Sequence, residues 1–456
     1  MMPTRADRAA PGDLAVTDEY VDPWPLALHE LRALRDDEGV APEVVQRLTV
    51  EAERARELGD ARALGALLDH IAAAHGPMSG GDEPSDLRAI RAERPSGPRH
   101  LTMSLSTEET RDRIHAGWLG RAVGCTLGRP VEGWSFADVS AYLEQAGEAE
   151  IADYLLHGDD VALGAARRIG WRKGSCRGHV RGVERDDDLD YTILNLDVLS
   201  EHGATFTTTD VGRAWLDRLP YRAACTAERV AYRNLVLGDA PPTSATRHNP
   251  YREWIGAQIR ADVYGYVSPG QPERAAEWAW RDARLSHRRD GIYGAMWTAA
   301  AIATAFATPD PREVVTIAAS EVPRASRFAD VVQVVLDAHD RHEDWRDARA
   351  VIERRYGHLH PVHVLNNAAV VASALLFGAG DFTRTVGIAV ASGWDTDSNG
   401  ATAGSIVGVM LGTAAIPTHW TDPLGDAVDT ALVGRGRHQL SELAAATATV
   451  ARHLKE

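Results

Sequence analysis

Apolar residues recur every three or four positions along most of this sequence, which is the spacing of one face of an α-helix. The pattern begins near Trp24, where Leu26, Leu31 and Leu34 follow at helical spacing, and it continues to about His75. No convincing run of alternating apolar and polar residues predicts a β-strand. Long, Ala- and Leu-rich helical segments dominate instead, so we predict an all-α fold.

The helical pattern is interrupted once by a stretch with the composition of a linker. Residues 76–103 are rich in Gly, Pro, Ser and charge, which is typical of a loop between domains. The chain has 456 residues, enough for more than one domain. We therefore predict an N-terminal helical extension with its linker over 1–103, and a main domain over 104–456.

Two predicted helices carry glycine at every third or fourth position. A helical glycine costs about 1 kcal/mol relative to alanine, so eight of them are unfavourable unless another backbone approaches closely. We expect the two glycine faces to pack against each other in the core. The first face consists of Gly117, Gly120, Gly124 and Gly128, and the second of Gly400, Gly404, Gly408 and Gly412.

The second glycine helix is preceded by an acidic stretch, GWDTDSNG, over residues 393–400. Asp395 and Asp397 supply oxygen ligands of the kind that Mg²⁺, Ca²⁺ or Mn²⁺ prefer. Taken alone, the stretch is better explained as a helix N-cap. The uncharged run that follows, 400–417, is almost long enough to span a membrane. Its glycines and its acidic start favour a buried helix over a membrane span.

A second helix also begins with several carboxylates. Asp186, Asp187, Asp188 and Asp190 crowd the start of an apolar helix that ends near Gly203. One Asp suffices as a cap, whereas adjacent carboxylates raise one another's pKa unless a cation lies among them. Two such helix starts are what a binuclear metal site needs, so the pair favours metal binding over capping.

A further acidic residue lies at a third place in the chain. This residue, Glu132, follows Pro130, which ends the first glycine helix. It is a candidate metal ligand or general base, and a solvated loop residue if it acts alone.

Composition and the absence of several known motifs argue against some classes of function. The formal net charge of −16 and the pI near 5.6 argue against general nucleic-acid binding. Three widely spaced cysteines and a polar N-terminus without an apolar core lead us to expect a cytoplasmic protein. Walker A, G-x-S-x-G and HExxH patterns are absent, which argues against NTPases, serine hydrolases and zinc proteases.

Three further segments contain residues that could bind a ligand or a metal, but their patterns do not decide between a functional and a structural role. The loop before residue 274 mixes aromatic residues with arginines, and it either stacks a ring and holds phosphate or fills space between helices. The basic segment 167–182 either lines a phosphate-binding rim or is a solvated face. His358, His360 and His363 either bind a transition metal or serve the helix that follows.

Three of these motifs together resemble one known family. GWLGRAVGCTLGRPVE, DDDLDYTILNL and GWDTDSNGATAGSIVG resemble, in this order, the motifs of the ADP-ribosylglycohydrolases, the group that includes dinitrogenase-reductase-activating glycohydrolase. The resemblance spans roughly residues 108–435. It implies an orthogonal helical bundle with a binuclear Mg²⁺ centre in its cleft, with Mn²⁺ as the other ion to consider.

The resemblance also implies a set of site residues. The metal ligands would be Asp187, Asp188, Asp395, Asp397 and Ser398. Glu132, Asp187 and Asp395 would be the catalytic residues. The chain departs from the family at four positions: it has Asp186, Leu189 and Ser398 where threonine is common, and Cys125 where aspartate is common.

The activity implied is hydrolysis of the C1 glycosidic bond of an ADP-ribosyl group, on a ribosylated small molecule or an ADP-ribosylated protein. An N-ribosyl hydrolase acting on a free nucleotide or nucleoside, for example one derived from NAD, is the first alternative. A non-catalytic ADP-ribose-binding protein is the second. We expect neither nucleic acid nor membrane as a partner. The candidate substrate contacts are Asp186, Asp190, Arg252, Tyr264, Tyr293 and Trp394.

Overall fold

The computed structural model describes residues 18–74, 83–157 and 172–454. The chain divides into two compact units, Met1–His75 and Gly76–Glu456. The first unit contains α1 (Pro23–Asp36), α2 (Pro42–Glu57) and α3 (Ala61–Ala74). Leu26, Leu31 and Leu34 of α1 are buried, as their helical spacing predicts.

The second unit is also helical, and among its described residues the only strands form one short hairpin. The antiparallel pair consists of β1 (Ala427–Asp429) and β2 (Arg437–Gln439). The prediction of an all-α fold is thereby confirmed. The helices are α4 (Leu87–Glu93), α5 (Thr107–Gly128), α6 (Phe136–Ala146), α7 (Asp187–His202), α8 (Thr208–Arg218), α9 (Thr226–Val236), α10 (Thr243–Thr246), α11 (Asp262–Tyr266), α12 (Pro272–Ala283), α13 (Arg289–Ala305), α14 (Pro311–Ala319), α15 (Arg327–Arg341), α16 (Trp345–Tyr356), α17 (Val364–Gly378), α18 (Phe382–Ala391), α19 (Thr396–Leu411), α20 (Thr418–Thr421) and α21 (Leu440–His453).

The core of this unit is built on the contact between α5 and α19. A side chain added at Gly120 would collide with the Gly404 carbonyl, and one added at Gly124 would collide with the Gly400 carbonyl. The two glycine faces therefore pack backbone to backbone, which confirms the close approach predicted from their spacing. This packing places the C-terminal end of α5 beside the N-terminal end of α19, because Gly128 meets the Thr396 carbonyl there.

The segment predicted as a linker, 76–103, falls within the second compact unit. Residues 75–82 lie outside the described residues, but 83–103 pack against the second unit. Trp280 donates its indole N–H to the Ser85 carbonyl at 2.9 Å, and Leu101 donates its N–H to the Gly270 carbonyl at 2.7 Å. Arg94 forms a 2.5 Å ion pair with the buried Glu321. These contacts make 83–103 part of the second unit.

Across the described ranges, none of the helices combines the length and the apolar character needed to cross a membrane. The uncharged run after residue 400 is α19, which is buried along its length from Thr396 to Met410.

Candidate functional site

Two loops that carry acidic residues are joined by a pair of backbone hydrogen bonds. Glu132 follows a short 3-10 turn at the end of α5. The Gly133 N–H donates to the Trp394 carbonyl at 2.8 Å, and the Trp394 N–H donates to the Trp134 carbonyl at 2.7 Å. Because Asp395 is the next residue along the chain, these two bonds hold it close to Glu132.

Five carboxylates form two overlapping groups of three. One oxygen from each of Glu132, Asp395 and Asp397 lies within 4.8 Å of the other two. The same holds for Asp186, Asp188 and Asp397. Asp397 belongs to both groups and therefore joins them. We call these five residues the carboxylate cluster, and among the described residues they form the groups of side chains that could hold a metal ion.

The starts of α7 and α19 bring the second group together. Asp186 is the N-cap of α7 and accepts a hydrogen bond from the Asp188 N–H at 3.2 Å. Ser398, in the first turn of α19, donates its hydroxyl to Asp188 Oδ2 at 3.1 Å. The Thr396 hydroxyl donates to the Gly128 carbonyl at 2.7 Å, which fixes α19 to the end of α5. At α7 the capping residue is therefore also a member of a carboxylate group, whereas Asp395 stands at the N-cap of α19 without a side-chain capping bond.

Asp188 is held by a buried arginine that the sequence reasoning missed. Arg121 projects from the middle of α5, where it is fully buried. Its Nη2 lies 3.0 Å from Asp188 Oδ1, and its Nη1 lies 3.0 Å from Asp262 Oδ2. The available signal was a single arginine among the glycines of 117–128, where no other charged residue occurs, since a buried charge needs a partner.

The electrostatics of the carboxylate cluster are unfavourable for five anions. Burial, followed by the charge of Glu132, raises the pKa of Asp395 from 3.8 to about 7. Burial and the neighbouring carboxylates raise the pKa of Asp188 and Asp397 well above the ordinary value, although Arg121 opposes this at Asp188. Glu132 keeps 39% of its side chain exposed, yet desolvation by the surrounding protein raises its pKa too. Cations among these oxygens would relieve the repulsion.

An oxygen of Asp397 without a hydrogen-bond partner among the described residues is a second observation that fits a divalent cation in the carboxylate cluster. Asp397 Oδ1 is buried and accepts no hydrogen bond from the described residues. A buried carboxylate oxygen without a partner is costly, and it is rare in native proteins. Asp397 is the residue shared by both groups, and an ion bound by either group would give this oxygen a partner.

A buried asparagine supports the Asp395 loop from behind. Asn367 Oδ1 accepts hydrogen bonds from the Asp395 N–H at 3.3 Å and from Asn399 Nδ2 at 2.7 Å. Its Nδ2 donates to the His363 carbonyl at 2.8 Å. His363 itself caps α17, and its Nδ1 accepts the Leu365 N–H at 3.2 Å. This histidine therefore serves the helix start, and the described residues place no metal-ligand group at it.

The structure places Asp187 outside both groups of three. It is half-buried at the first position of α7. Its charge reaches Cys225, whose thiol pKa is raised first by burial and then by Asp187. Asp186, and not Asp187, is the residue that forms a group of three with Asp188 and Asp397. The prediction that Asp187 is a ligand and catalytic residue stays a prediction.

Two of the candidate substrate contacts are occupied within the protein. Asp190 is fully buried, and its carboxylate accepts hydrogen bonds from Arg185 Nε at 2.8 Å and from the Ala431 N–H at 3.0 Å. Tyr264 is fully buried and stacks on Phe206, with ring centroids 5.5 Å apart. Neither side chain belongs to the carboxylate cluster.

The other aromatic and basic candidates are also buried. Arg252 donates from Nη1 to the Asn249 carbonyl at 2.7 Å, and the Tyr293 hydroxyl donates to the Pro84 carbonyl at 2.5 Å. Trp394 is 6% exposed. Trp394 adjoins the cluster through its backbone, and Asp186 is itself a cluster member.

Glu132 has a basic partner from the segment 167–182, of which 167–171 lies outside the described residues. Arg172 Nη2 forms a close ion pair with Glu132 Oε2. Arg129 also contacts the cluster, with its Nε 3.7 Å from Asp186 Oδ2. Two arginines thus pair with cluster carboxylates, and the role of the basic segment as a phosphate-binding rim stays a prediction.

Comparison with known proteins gives a family. A sequence model of the family described as ADP-ribosylglycohydrolase matches residues 106–455. A solved structure described as an ADP-ribosylglycohydrolase-related protein complex is 20% identical, with a TM-score of 0.48; the match covers 76% of this chain and 99% of that one. A search of curated proteins gives no match. Since the family match covers most of the sequence and includes the whole carboxylate cluster, the chain belongs to the ADP-ribosylglycohydrolase family and is a hydrolase of that type.

Proposed function

We propose that the chain is a divalent-metal-dependent glycosidase that hydrolyses the C1 ribosyl bond of an ADP-ribosylated substrate. Family membership supports the reaction class. The observation that carries the metal requirement is the carboxylate cluster, in which two groups of three share Asp397. Five carboxylates this close together, of which Glu132, Asp188, Asp395 and Asp397 have raised pKa values, are poorly suited to a purely structural role.

The residues that would hold two ions follow from the two groups. Glu132, Asp395 and Asp397 would bind one ion, and Asp186, Asp188 and Asp397 the other, with the Ser398 hydroxyl beside Asp188. These are hard oxygen donors, which favour Mg²⁺ or Mn²⁺ over softer metals. When bound, such ions polarise substrate oxygens and lower the pKa of a water molecule.

The protein's own groups supply orientation and proton transfer. Glu132 is the most exposed carboxylate of the cluster, with 39% of its side chain accessible, and Arg172 binds its Oε2. Desolvation raises the pKa of Glu132 above its ordinary value, which suits this carboxyl to exchange a proton with the substrate. Arg121 fixes Asp188 from the buried side, so that this carboxylate has little freedom to rotate.

The experiment is product analysis by mass spectrometry with Mg²⁺ and with EDTA. The panel contains ADP-ribosyl-arginine and ADP-ribosyl-serine peptides, O-acetyl-ADP-ribose, NAD and simple nucleosides. We expect release of free ADP-ribose with Mg²⁺ and none with EDTA. Asp397→Asn should be inactive, and Asp337→Asn, a change at a surface carboxylate on α15, should match the parent.

Other outcomes would identify the alternatives. Cleavage of nucleosides or NAD without release of ADP-ribose from the peptides would identify an N-ribosyl hydrolase. Tight binding of ADP-ribose with no product in any reaction would identify a binding protein. Activity that survives EDTA and Asp397→Asn would contradict the metal role of the cluster.

A further inference from the structure

Trp394 has an unusual backbone conformation for its residue type. Its φ is +68°, in the left-handed region that L side chains rarely adopt. The preceding Gly393 also has a positive φ, of +76°. Glycine is needed there because a side chain would lie 2.6 Å from the Phe136 nitrogen. No such crowding demands tryptophan at the next position, and glycine would be the unstrained choice.

Trp394 connects the loop that carries Glu132 to the helix start that carries Asp395 and Asp397. Both of its backbone polar groups are bonded to the Glu132 loop, through Gly133 and Trp134. The residue that follows it is Asp395. Any rotation of the Trp394 backbone would therefore change the separation between Glu132 and the two aspartates of α19.

The Trp394 side chain is held by a buried arginine from another helix. The Arg349 guanidinium of α16 lies 3.9 Å from the centroid of the Trp394 ring. Arg349 is 1% exposed, and its Nε donates to the Ser392 carbonyl at 3.0 Å. Its Nη1 pairs with Glu353 at 2.7 Å. The arginine thus contacts both the Trp394 indole and the backbone at Ser392. The contact with the indole is attractive, because a cation interacts favourably with the face of an aromatic ring.

We propose that Arg349 and Trp394 are positioning residues that fix the separation between Glu132 and Asp395 for metal binding. The inference rests on the proposed function, because it assumes that these carboxylates hold ions. Strain at Trp394 is sustained because Arg349 and the two backbone bonds over-determine its conformation. Neither residue touches the reacting groups; both act through the loop that carries Asp395.

The test measures the affinity for Mn²⁺ alone, by electron paramagnetic resonance of the free ion, in otherwise metal-free protein. The variants are Arg349→Met, Trp394→Gly and the double substitution. Arg346→Met is the matched control, because Arg346 lies on the same helix with its guanidinium 4.7 Å from the Trp345 ring, away from the cluster. The melting temperature of each metal-free variant is recorded as well.

We expect each single variant to bind Mn²⁺ roughly 10- to 100-fold more weakly, the usual effect of removing support for a metal ligand. The double variant should be no weaker than the weaker single variant, because both changes release the same loop. Trp394→Gly is informative because it relieves the backbone strain. The variant also removes the indole that Arg349 contacts, so Mn²⁺ binding as tight as in the parent would show that this contact does not position the loop, and the proposal would be overturned.

Amide hydrogen exchange gives a second measure that does not depend on a metal. In Arg349→Met the amides of Gly133 and Trp394 should exchange faster, whereas a distant helix such as α12 should not change. Unchanged protection would overturn the proposal even if the variant were too unstable for titration. A parent that binds no Mn²⁺ would refute the proposed function and this inference with it. A parent that binds, with variants that bind equally well, would refute the inference alone.

Discussion

Replacing Asp395 by asparagine tests the electrostatics of the carboxylate cluster directly. Burial and the charge of Glu132 raise the pKa of Asp395 from 3.8 to about 7. Without metal, the folded protein therefore keeps a proton that the unfolded chain releases between these pH values. The stability due to this proton is complete below the unfolded pKa, and it is lost as the pH rises through the folded pKa of about 7.

The expected size follows from the difference between the two pKa values. At about 1.4 kcal/mol per pH unit, the contribution of this carboxyl is on the order of 4 kcal/mol. The second unit has about 380 residues. Its entropy of unfolding is then roughly 0.8 kcal/mol per kelvin, so the melting temperature should change by about 5 °C at most.

The assay is calorimetry of the parent and Asp395→Asn between pH 5 and 8, in EDTA and in millimolar Mg²⁺. In EDTA the melting temperature of the parent should fall toward neutral pH, and that of the variant should fall less, because asparagine carries no charge. Mg²⁺ should remove most of the fall in the parent and change the variant little. Asp337→Asn should behave as the parent. A parent whose metal-free stability does not decline toward pH 7 would refute the reasoning.

Three further predictions concern individual side chains. Asp186→Asn should weaken Mn²⁺ binding at least tenfold while Asp187→Asn leaves it near the parent value, as measured by titration; the reverse order would restore the ligand set implied by the resemblance. Glu132→Gln should retain ADP-ribose binding by calorimetry but lose turnover, and unimpaired turnover would remove this residue from the mechanism. Arg121→Met should lower the free energy of unfolding by about 3–5 kcal/mol in urea, because it leaves Asp188 buried without its cation; a change below about 1 kcal/mol would show that another group compensates.

Local pattern was enough to predict the helices and the two acidic helix starts. The period of the glycines predicted the contact between α5 and α19 as well, because a face without side chains has few uses other than close backbone packing. The motifs also placed Glu132, Asp188, Asp395 and Asp397 at one site, since their order matched a known family.

The supporting residues could not be predicted in the same way. Asn367 reaches Asp395 across 28 positions of sequence, and Arg121 reaches Asp188 across 67. Such pairs are set by how helices pack, which no local period encodes. The aromatic candidates Tyr264 and Tyr293 show where local pattern leaves a role open, because a tyrosine beside arginines in sequence is equally suited to a core, and both are fully buried.

The backbone contact between α5 and α19 has a consequence for how this protein can change. Side chains that separate two helices can be exchanged for larger or smaller ones, and the helices then shift. Here the backbones of the two helices touch directly, so no larger side chain can replace Gly120 or Gly404 without moving the helices apart. The distance between the C-terminal end of α5, near Glu132, and the N-terminal end of α19, near Asp395, should therefore change little when substitutions occur elsewhere in the core. Loops outside this contact can be redesigned for a new leaving group while the spacing of the acidic residues is retained.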